Sequence, residues 1–267
     1  MKNILITGPC GYLGSYLVKE IIGLKQYNVY MLVEEINNFS QPLCKPDVVL
    51  HLASKHPSHS GGSIFDINVG ATKKLASLCG KDTHFIFMSS DYVFRGNTHH
   101  PYTVDDNCEP RTDYGKSKLA SEKFLMENFN KVTILRTSML YGYYNPKRNN
   151  FIQFLVNSFK DKSRLELFTD VYCHPTHVGN ICNFIFDAIA TKKYGIFHAC
   201  SSDYINRFDL AKEFCRVNNL DVELLCASEK SSESVWPLSI NLQPSQEFLK
   251  LSTFSLEDGL KYNAKEI

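Results

Sequence analysis

The stretch Ile4-Leu-Ile-Thr-Gly-Pro-Cys-Gly-Tyr-Leu-Gly-Ser-Tyr-Leu-Val18 constrains the fold of this chain more than any other. An apolar run of strand character stops at Thr7. Glycines follow at 8, 11 and 14, and helical spacing starts at once. Gly8 permits a tight turn, Gly11 lets the backbone approach a ligand, and Gly14 lets helix and strand pack closely. The helix N-terminus then offers amide N–H groups and a positive dipole to an anion. Gly8, Cys10, Gly11, Tyr12, Leu13 and Gly14 are therefore candidates for holding a pyrophosphate. The spacing Gly-x-x-Gly-x-x-Gly differs by one residue from the usual dinucleotide fingerprint.

Downstream, short apolar runs alternate with longer helical patterns. Ile4–Thr7, Val29–Val33, Val48–Leu52, Phe85–Met88 and Val132–Leu135 read as buried strands. Ser15–Ile22, Ile64–Cys79, Tyr114–Asn128 and Phe151–Phe159 read as helices. Such alternation predicts an α/β fold: a Rossmann-type, doubly wound parallel sheet with helices on both faces. Between Glu34 and Pro46 there is little room for a helix, and Pro42 and Pro46 oppose one, so an irregular crossover is expected. After residue 145 the rhythm changes. Helices at His177–Ala190 and Phe208–Val217 alternate with short strands at Leu165–Phe168, Gly195–Ala199 and Val222–Leu225. The expected organisation is a dinucleotide-binding domain over 1–145 and a smaller mixed α/β C-terminal lobe over 146–267, partly interleaved.

Composition narrows the function. A net charge of +1 gives no reason to expect nucleic acid or a membrane surface as partner. Nine cysteines, without Cys-x-x-Cys, read as free thiols in a reducing compartment. The run Ile4-Leu5-Ile6 is cut by Thr7, Gly8 and Pro9, so no secretory signal is expected, and no run of 18 apolar residues suggests a membrane span. A cytoplasmic location follows as an expectation.

Two further features supply chemistry. Phe85-Ile-Phe-Met-Ser-Ser90 is a buried strand ending in hydroxyls, and open α/β sheets gather their chemistry at the carboxyl ends of strands. Tyr114 and Lys118 then fall on one helical stripe. An ammonium beside a phenol favours phenolate and lowers its pKa. A tyrosine so tuned can exchange a proton with a carbonyl oxygen while hydride moves to or from a nicotinamide, with Ser90 holding the same oxygen. Ser89 adjoins the cofactor side of this strand end. At the end of the second strand, Glu34 can accept hydrogen bonds from an adenosine ribose and would repel a 2′-phosphate. No arginine precedes Arg95, so the bidentate phosphate clamp is missing from its usual places. NAD is the expected cofactor, with NADP as the alternative.

These residues resemble the extended short-chain dehydrogenases/reductases, and within them the dTDP-4-dehydrorhamnose reductase branch. The matching segments include Thr7–Gly14, Asp47-Val-Val-Leu-His-Leu-Ala53, Asn68-Val-Gly-Ala-Thr72, Ser89-Ser-Asp-Tyr-Val-Phe94, Tyr114-Gly-Lys-Ser-Lys118, Leu135-Arg-Thr-Ser138 and Pro175-Thr-His-Val178. The resemblance implies reduction of a 4-keto-6-deoxy nucleotide sugar by NAD(P)H, with Ser90, Tyr114 and Lys118 catalytic and Tyr114 as general acid. It further implies that Lys118 binds the nicotinamide ribose and that Asn68 orders the active-site backbone. His51, Leu52, Ala53, Ser54, Thr137 and Ser138 would line the cofactor. A homodimer is compatible with the resemblance.

Departures from the branch bear on the substrate. Its Arg-Pro segment near the C-terminus is here Trp236-Pro237, and an acidic residue after Pro101-Tyr102 is replaced by Val104. Arg148, Arg164 and Arg207 remain as candidates for a diphosphate. A sugar-nucleotide 4,6-dehydratase or epimerase is the rival enzyme. Dehydratases place Asp-Glu after the catalytic hydroxyl, whereas here Asp91 is followed by Tyr92. The chain also resembles the regulatory β subunit of methionine adenosyltransferase, which shares Ser-Ser-Asp-Tyr-Val-Phe and Pro-Thr-His-Val. His56, His59, His99 and His100 read as loop histidines near the site mouth; no metal site is expected from them.

Overall fold

A computed structural model describes residues 1–33, 36, 45–56, 61–97, 100–143, 150–230 and 237–264. Glu34, most of the expected crossover, His59, His99, Arg148 and Trp236 lie outside the described residues.

The opening sequence folds as its pattern requires: β1 (Lys2–Thr7), the glycine turn, α1 (Tyr12–Gly23) and β2 (Tyr27–Leu32). Then come β3 (Val48–His51), α2 (Ile64–Ser77), β4 (His84–Met88), α3 (Asp113–Asn128), β5 (Val132–Arg136) and β6 (Leu140–Tyr141). The chain continues through α4 (Phe151–Lys160), β7 (Leu165–Phe168), β8 (Tyr172–Cys173), β9 (Thr176–His177), α5 (Val178–Thr191), β10 (Gly195–His198) and β11 (Ile205–Asn206). It ends with α6 (Arg207–Asn218), β12 (Leu225–Ser228), α7 (Gln246–Leu249) and α8 (Leu256–Ala264). Side-chain caps start several of these helices. Ser63 accepts from the Asp66 amide at 3.2 Å, Thr112 from Gly115 at 3.0 Å and Asn206 from Asp209 at 2.7 Å. Each satisfies an amide that the first helical turn leaves without a partner.

The chain divides into two compact units. The first comprises Met1–Arg95, Asn107–Arg136 and Cys182–Phe197. It holds a six-stranded sheet in the order β10-β5-β4-β3-β1-β2, and its strands are parallel. The sheet is doubly wound: β2 lies on one side of β1 and β3 on the other, with Thr7 paired to His51 at the carboxyl ends. The strand order reverses there, the crevice where open α/β sheets bind ligands. β3, β4 and β5 are buried throughout, as strands covered on both faces should be. β2 departs from that expectation. It is an edge strand, and only Leu32 in it is buried. One core cluster packs Val49, Phe85, Phe87 and Ile134 of the strands against Leu75 of α2 and Leu125 of α3.

The second unit comprises Gly96–Asp106, Thr137–Ile181 and His198–Ile267. Its core gathers Ile152, Leu155, Val156 and Phe159 of α4, spaced along one helical stripe, with Leu210 and Phe214 of α6 and Leu260 of α8. β12 pairs parallel with β7. The segment Val222–Leu225 corrects the sequence reading. Val222–Leu224 is a 3-10 turn, capped by Asp221 accepting from the Glu223 amide at 2.9 Å, and the strand begins only at Leu225. A short polar residue that bonds backbone two positions on favours the turn over extension.

Candidate active site

The glycine loop is closed to side chains. Gly8 adopts φ +69°, and a Cβ there would lie 2.8 Å from the Ala53 amide nitrogen. A Cβ on Gly14 would lie 2.1 Å from the Gly8 carbonyl oxygen. These two positions need glycine, one for its backbone conformation and both for close approach. Gly11 caps α1 with no side chain, and no acidic residue stands in the first turn. The dipole there is thus unopposed by a local carboxylate. A tight glycine turn against backbone and an unopposed helix N-terminus fit a dinucleotide.

Ser90, Tyr114 and Lys118 meet at the carboxyl end of β4. Ser90 Oγ donates to Asp91 Oδ1 at 2.9 Å and accepts from the Tyr92 amide at 3.2 Å. Lys118 is buried, donates from Nζ to the Met88 carbonyl at 2.8 Å, and stands 5.6 Å from the centre of the Tyr114 ring. Burial pulls its pKa down to about 7, against the attraction of Glu122. The half-buried Tyr114 ring is met edge-on by His56 at 5.5 Å and by Tyr92 at 6.2 Å. Burial pushes the phenol up to about 12; Ser54 opposes the shift and Asp91 adds to it. Although Ser54 lies near enough to favour phenolate, its oxygen forms no hydrogen bond of normal geometry. The expected lowering by Lys118 is absent from this state. Desolvation outweighs a lysine that is itself losing charge and is turned to a backbone carbonyl.

Behind these groups runs a buried polar chain. Thr7 Oγ1 accepts from the Ala53 amide at 3.2 Å and lies 2.8 Å from His51 Nδ1. His51 Nε2 lies 3.0 Å from Thr72 Oγ1, which donates to the Asn68 carbonyl at 2.9 Å. Asn68 Nδ2 donates to Ser117 Oγ at 3.0 Å, and Ser117 donates to the Tyr114 carbonyl at 2.7 Å. Asn68 also holds both backbone groups of Lys55, at 2.7 and 3.1 Å. Burial and the Lys118 charge hold His51 down to about 3, so the ring is neutral. Both its nitrogens are occupied, so it acts through Thr7 and Thr72 rather than by contacting a ligand. The chain joins the glycine loop to the helix that carries Tyr114.

Ser89 is occupied by the buried Glu122, which also pairs with Arg136. Cys10 is exposed on the loop, whereas Cys173, Cys182, Cys200 and Cys215 are buried. Burial raises the thiols of Cys182 and Cys215, the latter to about 11. Thr137 and Ser138 belong to the second unit. Thr137 Oγ1 is buried without a partner there, and Ser138 Oγ accepts from the His174 amide at 3.3 Å. Sequence reasoning weighed Asp91 only against a dehydratase and missed Glu122 and the Met88 carbonyl. Glu122 was detectable, since it continues the stripe of Tyr114 and Lys118 at i+4 spacing; the backbone carbonyl had no sequence signal.

A parallel, doubly wound sheet with a glycine loop at its switch point and Ser, Tyr and Lys at the end of the fourth strand defines an extended short-chain dehydrogenase/reductase. The model of the RmlD substrate binding domain matches residues 1–246, and the chain belongs to that family. It is 28% identical to a dTDP-4-dehydrorhamnose reductase of Aggregatibacter actinomycetemcomitans over 230 residues, covering 79% of this chain and 77% of that protein. Methionine adenosyltransferase 2 subunit beta of Rattus norvegicus is also 28% identical, over 82% of this chain and 73% of that protein. The crystal structure of dTDP-4-dehydrorhamnose reductase from Bacillus anthracis in complex with NADP superimposes with a TM-score of 0.85 at 26% identity, covering 97% of each chain. Among the described residues, no helix is long and apolar enough to cross a membrane.

Proposed function

We propose that this protein is an NAD(P)H-dependent reductase of a 4-keto-6-deoxy nucleotide sugar. The observation that carries the reading is the convergence of Ser90, Tyr114 and Lys118 at the end of β4, in a chain of the family to which the reductases belong. When bound, the nicotinamide supplies hydride to the carbonyl carbon. Gly8, Gly11 and Gly14 hold the pyrophosphate at the start of α1. Tyr114 donates the proton to the carbonyl oxygen as negative charge develops there. A phenol raised to about 12 is fully protonated at neutral pH, which suits a donor. Ser90 orients the same oxygen once its proton turns from Asp91 to the substrate. Lys118 fixes the nicotinamide ribose beside Tyr114.

The test is NADH or NADPH oxidation with dTDP-4-keto-6-deoxyglucose and dTDP-4-dehydrorhamnose. Turnover of either supports the reading. A second reading, as a regulatory subunit, draws on the 28% identity shared with the methionine adenosyltransferase subunit. Failure of every nucleotide keto sugar, together with tight binding to a methionine adenosyltransferase catalytic subunit, would replace the first reading with the second.

A further inference from the structure

Glu122 is a carboxylate with 2% exposure in the middle of α3. Arg136 Nε approaches its two oxygens at 3.2 and 3.3 Å, and Arg136 Nη2 reaches Oε2 at 2.8 Å. The Ser89 hydroxyl donates to Oε1. The Arg136 guanidinium in turn lies 5.1 Å from the centre of the Phe94 ring. A buried ion pair repays its desolvation only where the geometry is good and the remaining lone pairs are satisfied, and an apolar pair would often serve stability as well. Here the carboxylate is held by Ser89 and Arg136. Ser89 precedes Ser90, Arg136 ends β5, and Lys118 lies one helical turn back on the same stripe.

We propose that Glu122 is a positioning residue for the reaction proposed above: it ties the carboxyl end of β4 to α3 and sets a fixed negative charge behind Lys118. Among the described residues, the charged and titratable groups facing this region come from several elements. Arg136 comes from β5, His51 from β3, Asp91 from the turn after β4, Tyr114 and Lys118 from α3, and Cys108 from the loop before it. His51 is neutral, and Arg136 is engaged by Glu122. Glu122 is therefore a carboxylate that favours the charged form of Lys118 against burial, beside the hydrogen bond to the Met88 carbonyl and the Phe87 ring 4.8 Å away. The inference rests on the reductase reading for its consequence, but the charge relationship holds whatever the substrate.

The test is the titration of Lys118 in the cofactor-free protein, followed by NMR of lysine side-chain ¹⁵Nζ or ¹³Cε and assigned by loss of the signal in Lys118→Arg. Glu122→Gln is expected to lower the midpoint by about one pH unit, a tenfold loss of proton affinity. Because this variant leaves Arg136 buried and unpaired, the double variant Glu122→Gln/Arg136→Gln is measured beside it. It should recover thermal stability and, because it also removes the Arg136 charge that repels the Lys118 ammonium, show a smaller lowering of the midpoint than Glu122→Gln. Glu122→Asp retains the charge but not the reach, so it should keep the midpoint near that of the wild type while lowering kcat more than it changes KM. A midpoint unchanged in every folded variant that removes the Glu122 charge would overturn the proposal and leave Glu122 a packing residue. Absence of turnover by the wild type would overturn the reductase reading alone, since the titration needs no substrate.

Discussion

Lys118 donates to the Met88 carbonyl at 2.8 Å while Glu122, one turn along the same helix, holds Ser89, the residue that follows that strand. Two successive positions at the end of β4 are thus tied to two successive turns of α3. The arrangement has a cost that can be measured. Burial lowers the Lys118 pKa from 10.5 to about 7, so between those values the unfolded chain binds more protons than the folded one. Stability therefore rises with pH in that window and falls on acidification towards pH 7. Urea unfolding at pH 7, 8 and 9 should show this rise in the wild type and a flatter profile in Lys118→Met. Parallel profiles would mean that Lys118 is charged and solvated at pH 8.

Tyr114→Phe removes one oxygen and leaves the ring contacts with His56 and Tyr92 in place. General acid groups typically contribute ~10²–10⁴ in rate. A loss of that size in kcat is expected, with NADH affinity little changed. Lys118→Met should lose turnover and some cofactor affinity together. Normal turnover by Tyr114→Phe would move the proton donor elsewhere, with His56 the first candidate on distance.

The sequence pattern carried the central sheet because its inner strands β3, β4 and β5 are buried on both faces and its helices show an apolar stripe. Ends shifted by a few residues, as at β1, where Lys2 and Asn3 join the strand although they are polar. β2 looked like the others in composition, but the topology leaves it at the sheet edge. That Tyr114 and Lys118 lie side by side on α3 was legible from their spacing. The phenol pKa was not. It depends on how much water reaches Tyr114 and on whether the Lys118 ammonium faces the ring or the Met88 carbonyl, and neither is written in the local sequence. The chain from Thr7 through His51 to Thr72 and Asn68 joins segments distant in sequence, so only the fold reveals it.

Cofactor choice follows from sequence rather than geometry, since Glu34 lies outside the described residues. A carboxylate at the end of the second strand favours a ribose diol, and no arginine stands before Arg95 to pair a 2′-phosphate. NADH is expected to bind about tenfold more tightly than NADPH, equivalent to ~1.4 kcal/mol. The Bacillus anthracis relative was solved with NADP, so an NADH preference would distinguish this chain from that one. Fluorescence titration with both cofactors decides it, and equal affinities would remove Glu34 from the ribose.

Cys10 is exposed on the loop between β1 and α1. A maleimide attached there would occupy the space of a pyrophosphate by bulk alone. Alkylation should abolish NADH binding, and prior saturation with NADH should slow the labelling of Cys10 while leaving the other accessible thiols unaffected. Mass spectrometry of the labelled peptides reads both. Equal labelling with and without NADH would place the thiol away from the bound cofactor.

Two glycines separate cofactor binding from proton transfer. A Cβ on Gly14 would stand 2.1 Å from the Gly8 carbonyl oxygen and 3.0 Å from the Pro9 Cα. Backbone on both sides has no rotamer to give, so Gly14→Ala must push α1 away from the loop. NADH affinity should fall by about tenfold or more. A Cβ on Gly115 would stand 2.0 Å from the Tyr92 carbonyl oxygen and 3.0 Å from Pro110 Cβ. Gly115→Ala must therefore displace the first turn of α3, and with it Tyr114, while the glycine loop is untouched. A misplacement of about 1 Å at the reacting groups can cost on the order of 10² in rate. Gly115→Ala should thus lower kcat by about that factor with little change in NADH affinity. The two variants are compared by NADH titration and by single-turnover kinetics with saturating cofactor. If Gly115→Ala instead lost NADH and kept its turnover rate at saturation, the first turn of α3 would be assigned to cofactor binding, and Tyr114 would lose its place as the proton donor.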